Sequence, residues 1–240
     1  MSEPIVIDSR YCGTPGSAHG GYVAGLLAAR IGRPADASFR RPVPLGRELQ
    51  LDCDGDGAQL FGAGELLVEA KPIDLHVLVP APPSLAEADA ASGRYLGRRM
   101  RLRFARCFSC GIERATGDGL RIFAGPVGRA DGLYAAPWLP ESVLADERGW
   151  VRPEFVWAAL DCSGAFVLMG DDAARLLLTA RLAVRIEALP NVGEPHVVAA
   201  WVIERGAGKH VSGTAVFTAQ GKLLALGRAL WVEPQVGSGP

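Results

Sequence analysis

Two apolar segments of this chain are similar enough to be two copies of one helix. Residues 19–28 (HGGYVAGLLA) and 152–161 (RPEFVWAALD) each begin at a turn marked by Gly or Pro, and strand-like segments follow each of them. The patterns predict helices near residues 20–31 and 153–168, and the second is apolar on nearly every side, which predicts a buried helix. A helix followed by four strands, twice, indicates an internal duplication of about a hundred residues.

The two segments differ at the positions that matter for chemistry. The first has Gly20 and Gly21 at its start but only Ala28 nine residues after His19, whereas the second has Asp161 at that ninth position. Free N–H groups at a helix start can stabilise a developing oxyanion, and Gly leaves them open to a substrate carbonyl. We therefore predict one composite site in which the Gly pair faces Asp161.

A second composite site, formed by the start of the second helix and the ninth position of the first segment, would lack both the Gly pair and the carboxylate. It would join Ala28 to the start of the second helix at Arg152, Pro153 and Glu154, with neither the Gly pair nor a carboxylate at the ninth position. We expect this site to be degenerate, since Glu154 lies at the wrong end of its helix.

Composition excludes several classes of protein. The 240 residues are 49% hydrophobic and carry a formal net charge of -1, which argues against a nucleic-acid binder. The first residues have no basic region followed by an apolar core, and no stretch approaches eighteen uncharged apolar residues, so we expect neither a signal peptide nor a membrane span. Five cysteines, an odd number, indicate reduced thiols and a cytoplasmic location.

The middle of the chain has a different character. We predict repeats over residues 1–83 and 119–240, joined by a linker over 84–118 that begins with a short helix. The second repeat should open with strands at 119–124 and 133–138. Six arginines lie within thirteen residues of this linker, at Arg94, Arg98, Arg99, Arg101, Arg103 and Arg106. Arg98, Arg99 and Arg101 are our candidates for binding the phosphate groups of a small-molecule ligand. A solvated linker surface is the alternative.

The same linker contains a CxxC motif, formed by Cys107 and Cys110. Such a pair is half of a typical zinc site or a redox pair, but the chain has no second CxxC. We therefore expect packed free thiols, no bound metal and no cofactor. Cys162 adjoins Asp161, but successive helical residues point about 100° apart, so Cys162 need not share the site.

At these motifs the chain resembles the hotdog superfamily, in particular the acyl-CoA thioesterase-like branch with two repeats in one chain. The resemblance rests on HGG at 19–21, WAALDC at 157–162 and the segments 209–219 and 221–225. The segments CFSCG at 107–111 and GDGL at 117–120 are similar to uncharacterised double-hotdog proteins of actinobacterial type. The resemblance implies an α+β fold, a tandem hotdog with two long central helices, each wrapped by antiparallel strands, forming a pseudo-dimer.

The resemblance also implies an acyl-thioester hydrolase, with Asp161 as nucleophile or general base and the Gly20 and Gly21 amides as oxyanion hole. His19 would orient the loop or touch the substrate. An Asp in an apolar helix is costly unless it is paired, so a purely structural carboxylate is the alternative. The ligand would be a small acyl thioester, with no nucleic-acid or membrane partner.

Other functions also stay open from the sequence. They are a hotdog protein that binds acyl-CoA or another small molecule without hydrolysis, a hydratase, or an enzyme of secondary metabolism. The hydratase pattern has a His five residues after the Asp, where this chain has Phe166. The acyl group, the choice between CoA and a carrier protein, and self-association stay open as well.

Overall fold

Eleven strands form one sheet in the computed structural model, which describes residues 2–100, 104–130 and 132–234. In chain order they are β1 Ser2–Val6, β2 Ala35–Phe39, β3 Glu48–Asp54, β4 Gly57–Gly62, β5 Glu65–Pro72, β6 Gly125–Pro126, β7 Tyr134–Trp138, β8 Leu178–Ile186, β9 His196–Arg205, β10 Lys209–Thr218 and β11 Leu223–Val232. Their order in the sheet is β1-β3-β4-β5-β2-β8-β11-β10-β9-β7-β6, and all neighbouring pairs are antiparallel.

The strand order repeats from one half of the sheet to the other. The first half runs β1-β3-β4-β5-β2, and the second half, taken from its far edge, runs β6-β7-β9-β10-β11-β8, so the orders match apart from the two-residue strand β6 at that edge. The halves meet where β2 pairs with β8, from Ala35 opposite Val184 to Ser38 opposite Arg181. The chain therefore combines a large antiparallel sheet with few helices, which agrees with the α+β class.

Four helices accompany the sheet in the described residues: α1 Gly20–Ile31, α2 Leu85–Ser92, α3 Pro153–Ala159 and α4 Cys162–Met169. Helices α1 and α3 cross at very short distance because α1 has glycines one turn apart. A Cβ on Gly21 would lie 2.6 Å from the carbonyl oxygen of Trp157, and one on Gly25 would lie 2.5 Å from Cα of Glu154. None of the described helices is long and apolar enough to cross a membrane.

The second predicted helix is broken, which corrects the continuous helix expected over residues 153–168. The helix α3 ends before Leu160, and α4 begins after Asp161, whose φ of -89° and ψ of -79° depart from helical values. The carbonyl of Leu160 accepts a hydrogen bond from the Thr214 hydroxyl at 2.9 Å, which satisfies it without the continuous helix. The interruption places Asp161 at a turn between two helices.

The predicted strand at residues 119–124 is also absent. Backbone N–H groups of Leu120 and Ile122 donate to the carbonyls of Phe108 and Ser109 at 2.9 Å, so this segment is held by the loop that contains the CxxC motif. That loop is buried, with Phe108 completely inaccessible. The region predicted as a linker thus contributes to the core, while the division at 83/84 and 118/119 stays a prediction.

Candidate active site

The carboxylate of Asp161 joins the two halves of the chain. It is buried, and Oδ2 accepts a hydrogen bond from the backbone N–H of Gly21 at 2.7 Å. Oδ1 accepts from the hydroxyl of Thr179, at the start of β8, at 2.9 Å. Burial raises the pKa of Asp161 above its usual range, and the nearby His19 together with these two hydrogen bonds offsets part of the effect.

His19 caps the start of α1 and faces the same carboxylate. Its Nδ1 accepts a hydrogen bond from the N–H of Tyr22 at 3.2 Å, so the neutral ring carries its proton on Nε2. That Nε2 lies 3.2 Å from Sγ of Cys162 and 3.7 Å from Oδ2 of Asp161. The ring is therefore oriented by the helix start and presents an N–H toward a sulfur and a carboxylate.

The two glycines at the helix start have different surroundings. The amide of Gly21 is engaged by Asp161, and its missing side chain makes room for α3. Gly20 lines a cavity, and among residues 2–100, 104–130 and 132–234 none accepts a hydrogen bond from its N–H. The glycine pair thus divides into a packing position, Gly21, and a cavity-lining position, Gly20, whose amide has no acceptor among the described residues.

That cavity has a volume of about 330 Å³ and a mainly apolar wall. Its polar end contains His19, Gly20 and Asp161. Its apolar side chains come from both halves of the chain and include Phe39, Val43, Phe104, Phe166, Met169, Leu177 and Trp231. An apolar space that ends at a few converging polar groups is typical of a small-molecule site.

Three thiols lie at the same end of the cavity. Cys107 and Cys162 have their sulfurs 3.6 Å apart, and Cys110 is buried beside both. Hydrogen bonds from the thiols of Cys110 and Cys162, together with nearby His19, hold the pKa of Cys107 well below its usual range. The sequence left open whether Cys162 shares the site, and in the structure Cys162 lines the same cavity as Asp161.

Of the arginines proposed to bind phosphates, the two within the described residues lie away from the cavity wall. Arg98 lies over the ring of Phe123 at 5.6 Å, and neither Arg98 nor Arg99 lines the cavity wall. Arg101 and Arg103 lie outside the described residues. The cavity is lined instead by Arg40 and Arg41, which follow β2 and were not singled out in the sequence.

Both of these arginines already have acidic partners. Arg40 pairs with Glu69, and Nε of Arg41 lies 3.1 Å from Glu65. Their side chains are nevertheless more than half exposed, so solvent weakens these pairs. Among the residues that the structure describes, they are the arginines of the cavity wall, which contains no lysine.

Several site residues had no sequence signal. Thr179, Arg40 and Arg41 lie outside any motif, and only the folded sheet brings them to the cavity. Cys107 and Cys162 are 55 positions apart in the chain and meet only because the central loop packs into the core.

Comparison with solved structures identifies the fold. The tesB protein of Mycobacterium avium subspecies paratuberculosis has a TM-score of 0.63 at 11% identity, over 97% of this chain and 93% of its own. A protein of unknown function with a hotdog fold from Alicyclobacillus acidocaldarius has a TM-score of 0.62 at 12% identity, over 97% and 93%. An acyl-CoA thioesterase II of Mycobacterium marinum has a TM-score of 0.58 at 12% identity, over 93% of each chain.

No protein-family model and no curated protein matches this chain at a significant level. The structural similarity therefore establishes a hotdog fold over nearly the whole chain, which is the fold that the resemblance at the sequence motifs implies. At such low identity the similarity shows the fold alone, so the activity must be argued from the site.

Proposed function

We propose that this protein hydrolyses acyl thioesters, with acyl-CoA as the substrate class. The observation that supports the proposal is the buried Asp161 carboxylate, bonded to the first turn of α1 at the polar end of an apolar cavity. It combines a carbonyl-binding helix start and a carboxylate in one place, from two different halves of the chain.

The amide of Gly20 is the proposed donor to the thioester carbonyl oxygen. It lies at the first position of α1, where the helix dipole adds partial positive charge as the oxyanion develops. Gly21, the second predicted donor, holds Asp161 in this structure. We therefore assign Gly20 to the substrate and Gly21 to the orientation of the carboxylate.

Asp161 is the proposed base or nucleophile. A carboxylate with a pKa raised by burial is a stronger base than an exposed one, and it can take a proton from water or attack the thioester carbon directly. Thr179 and Gly21 fix its two oxygens, so its orientation is set before the substrate enters. His19 is proposed to position α1 through its cap on Tyr22.

The rest of the cavity is proposed to bind the acyl chain and the carrier. Its aromatic and aliphatic wall suits an apolar acyl group. Phosphates of the carrier would bind Arg40 and Arg41 near the cavity, with Arg98, Arg99 and Arg101 as the second proposed cluster.

The architecture is proposed to be two hotdog units fused as a pseudo-dimer, over residues 1–83 and 119–240, with 84–118 between them. The matching strand orders and the pairing of β2 with β8 support this division. In this arrangement α1 is the central helix of the first unit, and the interrupted pair α3 and α4 is that of the second.

The test is hydrolysis of short, long and aromatic acyl-CoAs, measured as release of free thiol. Asp161→Asn keeps the size of the side chain but cannot act as base or nucleophile, so we expect a loss of about 100- to 10,000-fold in kcat. The matched control is Glu154→Gln on the same helical segment, which should keep wild-type activity because Glu154 does not line the cavity.

The comparison requires that the Asp161→Asn and Glu154→Gln variants both keep the wild-type Tm. Asp161→Asn at the wild-type rate would contradict the assigned mechanism. A wild-type protein that binds acyl-CoA but hydrolyses none of the panel would replace the hydrolase with a binding protein, and addition of water to enoyl-CoA would favour the hydratase.

A further inference from the structure

We propose that Cys107, Cys110, Cys162 and His19 form a binding site for a zinc ion at the inner end of the cavity. This proposal goes beyond the hydrolase and does not depend on it. It also reverses the expectation from the sequence, in which one CxxC motif without a second one predicted no metal.

The spacing of the donor atoms fits zinc. Tetrahedral zinc with Zn–S bonds of about 2.3 Å and Zn–N bonds of about 2.0 Å separates two sulfurs by about 3.8 Å, and a sulfur from a nitrogen by about 3.5 Å. Sγ of Cys107 and Cys162 lie 3.6 Å apart, and Nε2 of His19 lies 3.2 Å from Sγ of Cys162. The ligand atoms of these three residues all lie within 4.8 Å of one another.

We propose Cys110 as the third sulfur, since it is buried and lines the same cavity. The ligand atoms that already lie within 4.8 Å of one another are those of His19, Cys107 and Cys162, so Cys110 would approach them when the ion binds. The turn between the two CxxC sulfurs is tight, since the N–H of Gly111 donates to the carbonyl of Cys107 at 2.9 Å. A Cβ at Gly111 would lie 2.5 Å from that oxygen, so the turn requires glycine.

One residue from each half of the chain thus completes a zinc motif of which the CxxC segment supplies only two ligands. Three Cys and one His are a common ligand set for structural zinc, and soft thiolates favour zinc over magnesium or calcium. The usual second CxxC is replaced by Cys162 at the start of α4 and His19 at the start of α1. Because all four residues line the cavity, an ion has a path to the site.

Binding has a defined proton balance and a structural cost. Each coordinating thiol releases one proton, so a site with three sulfurs releases up to three. In this structure, Nδ1 of His19 accepts a hydrogen bond from the N–H of Tyr22 at 3.2 Å. Coordination by Nε2 would move the ring proton to Nδ1, so this cap of α1 would be lost in the zinc-bound protein. We therefore assign Cys107 and Cys162 as the principal ligands, Cys110 as the third sulfur and His19 as the fourth ligand.

The experiment is metal binding by the reduced full-length protein. Protein purified without metal is titrated with Zn²⁺ and Co²⁺, and bound metal is measured by elemental analysis after gel filtration. We expect one ion per chain, a thiolate-to-cobalt charge-transfer band with Co²⁺, and a rise in Tm with Zn²⁺ because the ion binds only the folded chain.

The variants separate coordination from folding. Cys107→Ser and Cys162→Ser keep nearly the same size, and we expect zinc affinity to fall more than about 100-fold, since even the loss of a group that only orients a ligand costs about 10- to 100-fold. Cys53→Ser in β3 is the matched control and should bind as the wild type does, because Cys53 does not line the cavity.

Binding by His19→Ala at wild-type affinity would overturn the fourth ligand. Absence of both stoichiometric metal and the cobalt band from the reduced wild-type protein would overturn the site. These readouts are independent of thioester hydrolysis, so the Asp161→Asn test can fail without affecting them, and the reverse also holds.

Discussion

The starts of α1 and α3 occupy the same place in the repeated pattern but differ in what they offer. His19 and Arg152 are the residues that precede each helix, and Gly20 and Pro153 are the first helical residues. Gly20 has a backbone N–H next to the cavity, whereas Pro153 has none. Nine residues after each cap, the first half has Ala28 and the second has Asp161.

The difference indicates that the two halves supply different groups to a single site. At α3 the guanidinium of Arg152 lies 4.6 Å over the ring of Phe155, and its Nε lies 3.5 Å from Glu154, so this end is occupied by its own side chains. Proline suits a first helical position for structure alone. The first half keeps the amide and the second keeps the carboxylate, so the comparison predicts one working site per chain.

Gly20→Pro gives α1 the same first helical residue that α3 has, and it is the strongest test of this comparison. The backbone of His19, at φ -68° and ψ 124°, accepts a following proline, so the helix should form while the N–H is lost. We expect kcat for thioester hydrolysis to fall by about 100- to 1000-fold, the usual effect of removing one oxyanion donor.

Two variants control for the shape of the proline. Gly20→Ala keeps the N–H and places a Cβ 3.2 Å from Oδ2 of Asp161, so it should lose much less activity than the proline variant. Pro153→Gly should leave the rate unchanged. Equal rates for Gly20→Pro and wild type would show that the two starts are functionally alike.

Gly21→Ala tests whether the second glycine serves packing. The new Cβ would lie 2.6 Å from the carbonyl oxygen of Trp157 and 2.9 Å from Cα of Ala158, both of which belong to a helix backbone that cannot move cheaply. We expect the free energy of unfolding, measured with denaturant, to fall by about 1–3 kcal/mol. An alanine variant as stable as wild type would refute the close helix crossing.

Thr179→Val tests the support of the carboxylate from the second half. It removes the hydroxyl that donates to Oδ1 of Asp161 at 2.9 Å and keeps the shape of the side chain. Because hydrogen bonds to charged groups contribute about 1.5–3 kcal/mol, kcat/KM should fall about tenfold or more. Thr179→Ser should restore most of the rate, and a valine variant with full activity would exclude this support.

Replacing the arginines near the cavity or in the central region has the smallest expected effect. It tests which region binds the phosphate-bearing carrier of the acyl group. Replacing Arg40 and Arg41 with Ala should raise KM for acyl-CoA by about three- to tenfold at low salt, with less effect at high salt. The effect should vanish with a thioester that lacks phosphates. A larger effect from Arg98→Ala with Arg99→Ala would assign the carrier to the central region instead.

The sequence predicted the outline of this fold because the relevant signals are local. The glycine pair at the start of α1, the turn residues between strands and the apolar run at 155–168 are all readable from neighbouring positions, and the bounds of α1 match the prediction. The predicted facing of Asp161 and the first turn of α1 rests on a nine-residue spacing within each repeat.

The features that the sequence did not predict depend on contacts between residues that are far apart in the chain. The break at Asp161 is invisible in an apolar run, because the Thr214 hydroxyl that satisfies Leu160 comes from a strand more than fifty positions later. The burial of Cys107 likewise depends on hydrogen bonds between its loop and the segment 119–124, which was predicted to be a strand.

The pairing of β2 with β8 has a consequence for how the site responds to dilution. His19 and Gly20 come from one side of that seam and Asp161 from the other, so the site exists only when the halves are joined. If the halves were separate chains, assembly would depend on their concentration. A covalent connection holds two such partners at an effective concentration on the order of millimolar. Specific activity should therefore stay constant down to very dilute enzyme, without any need for self-association.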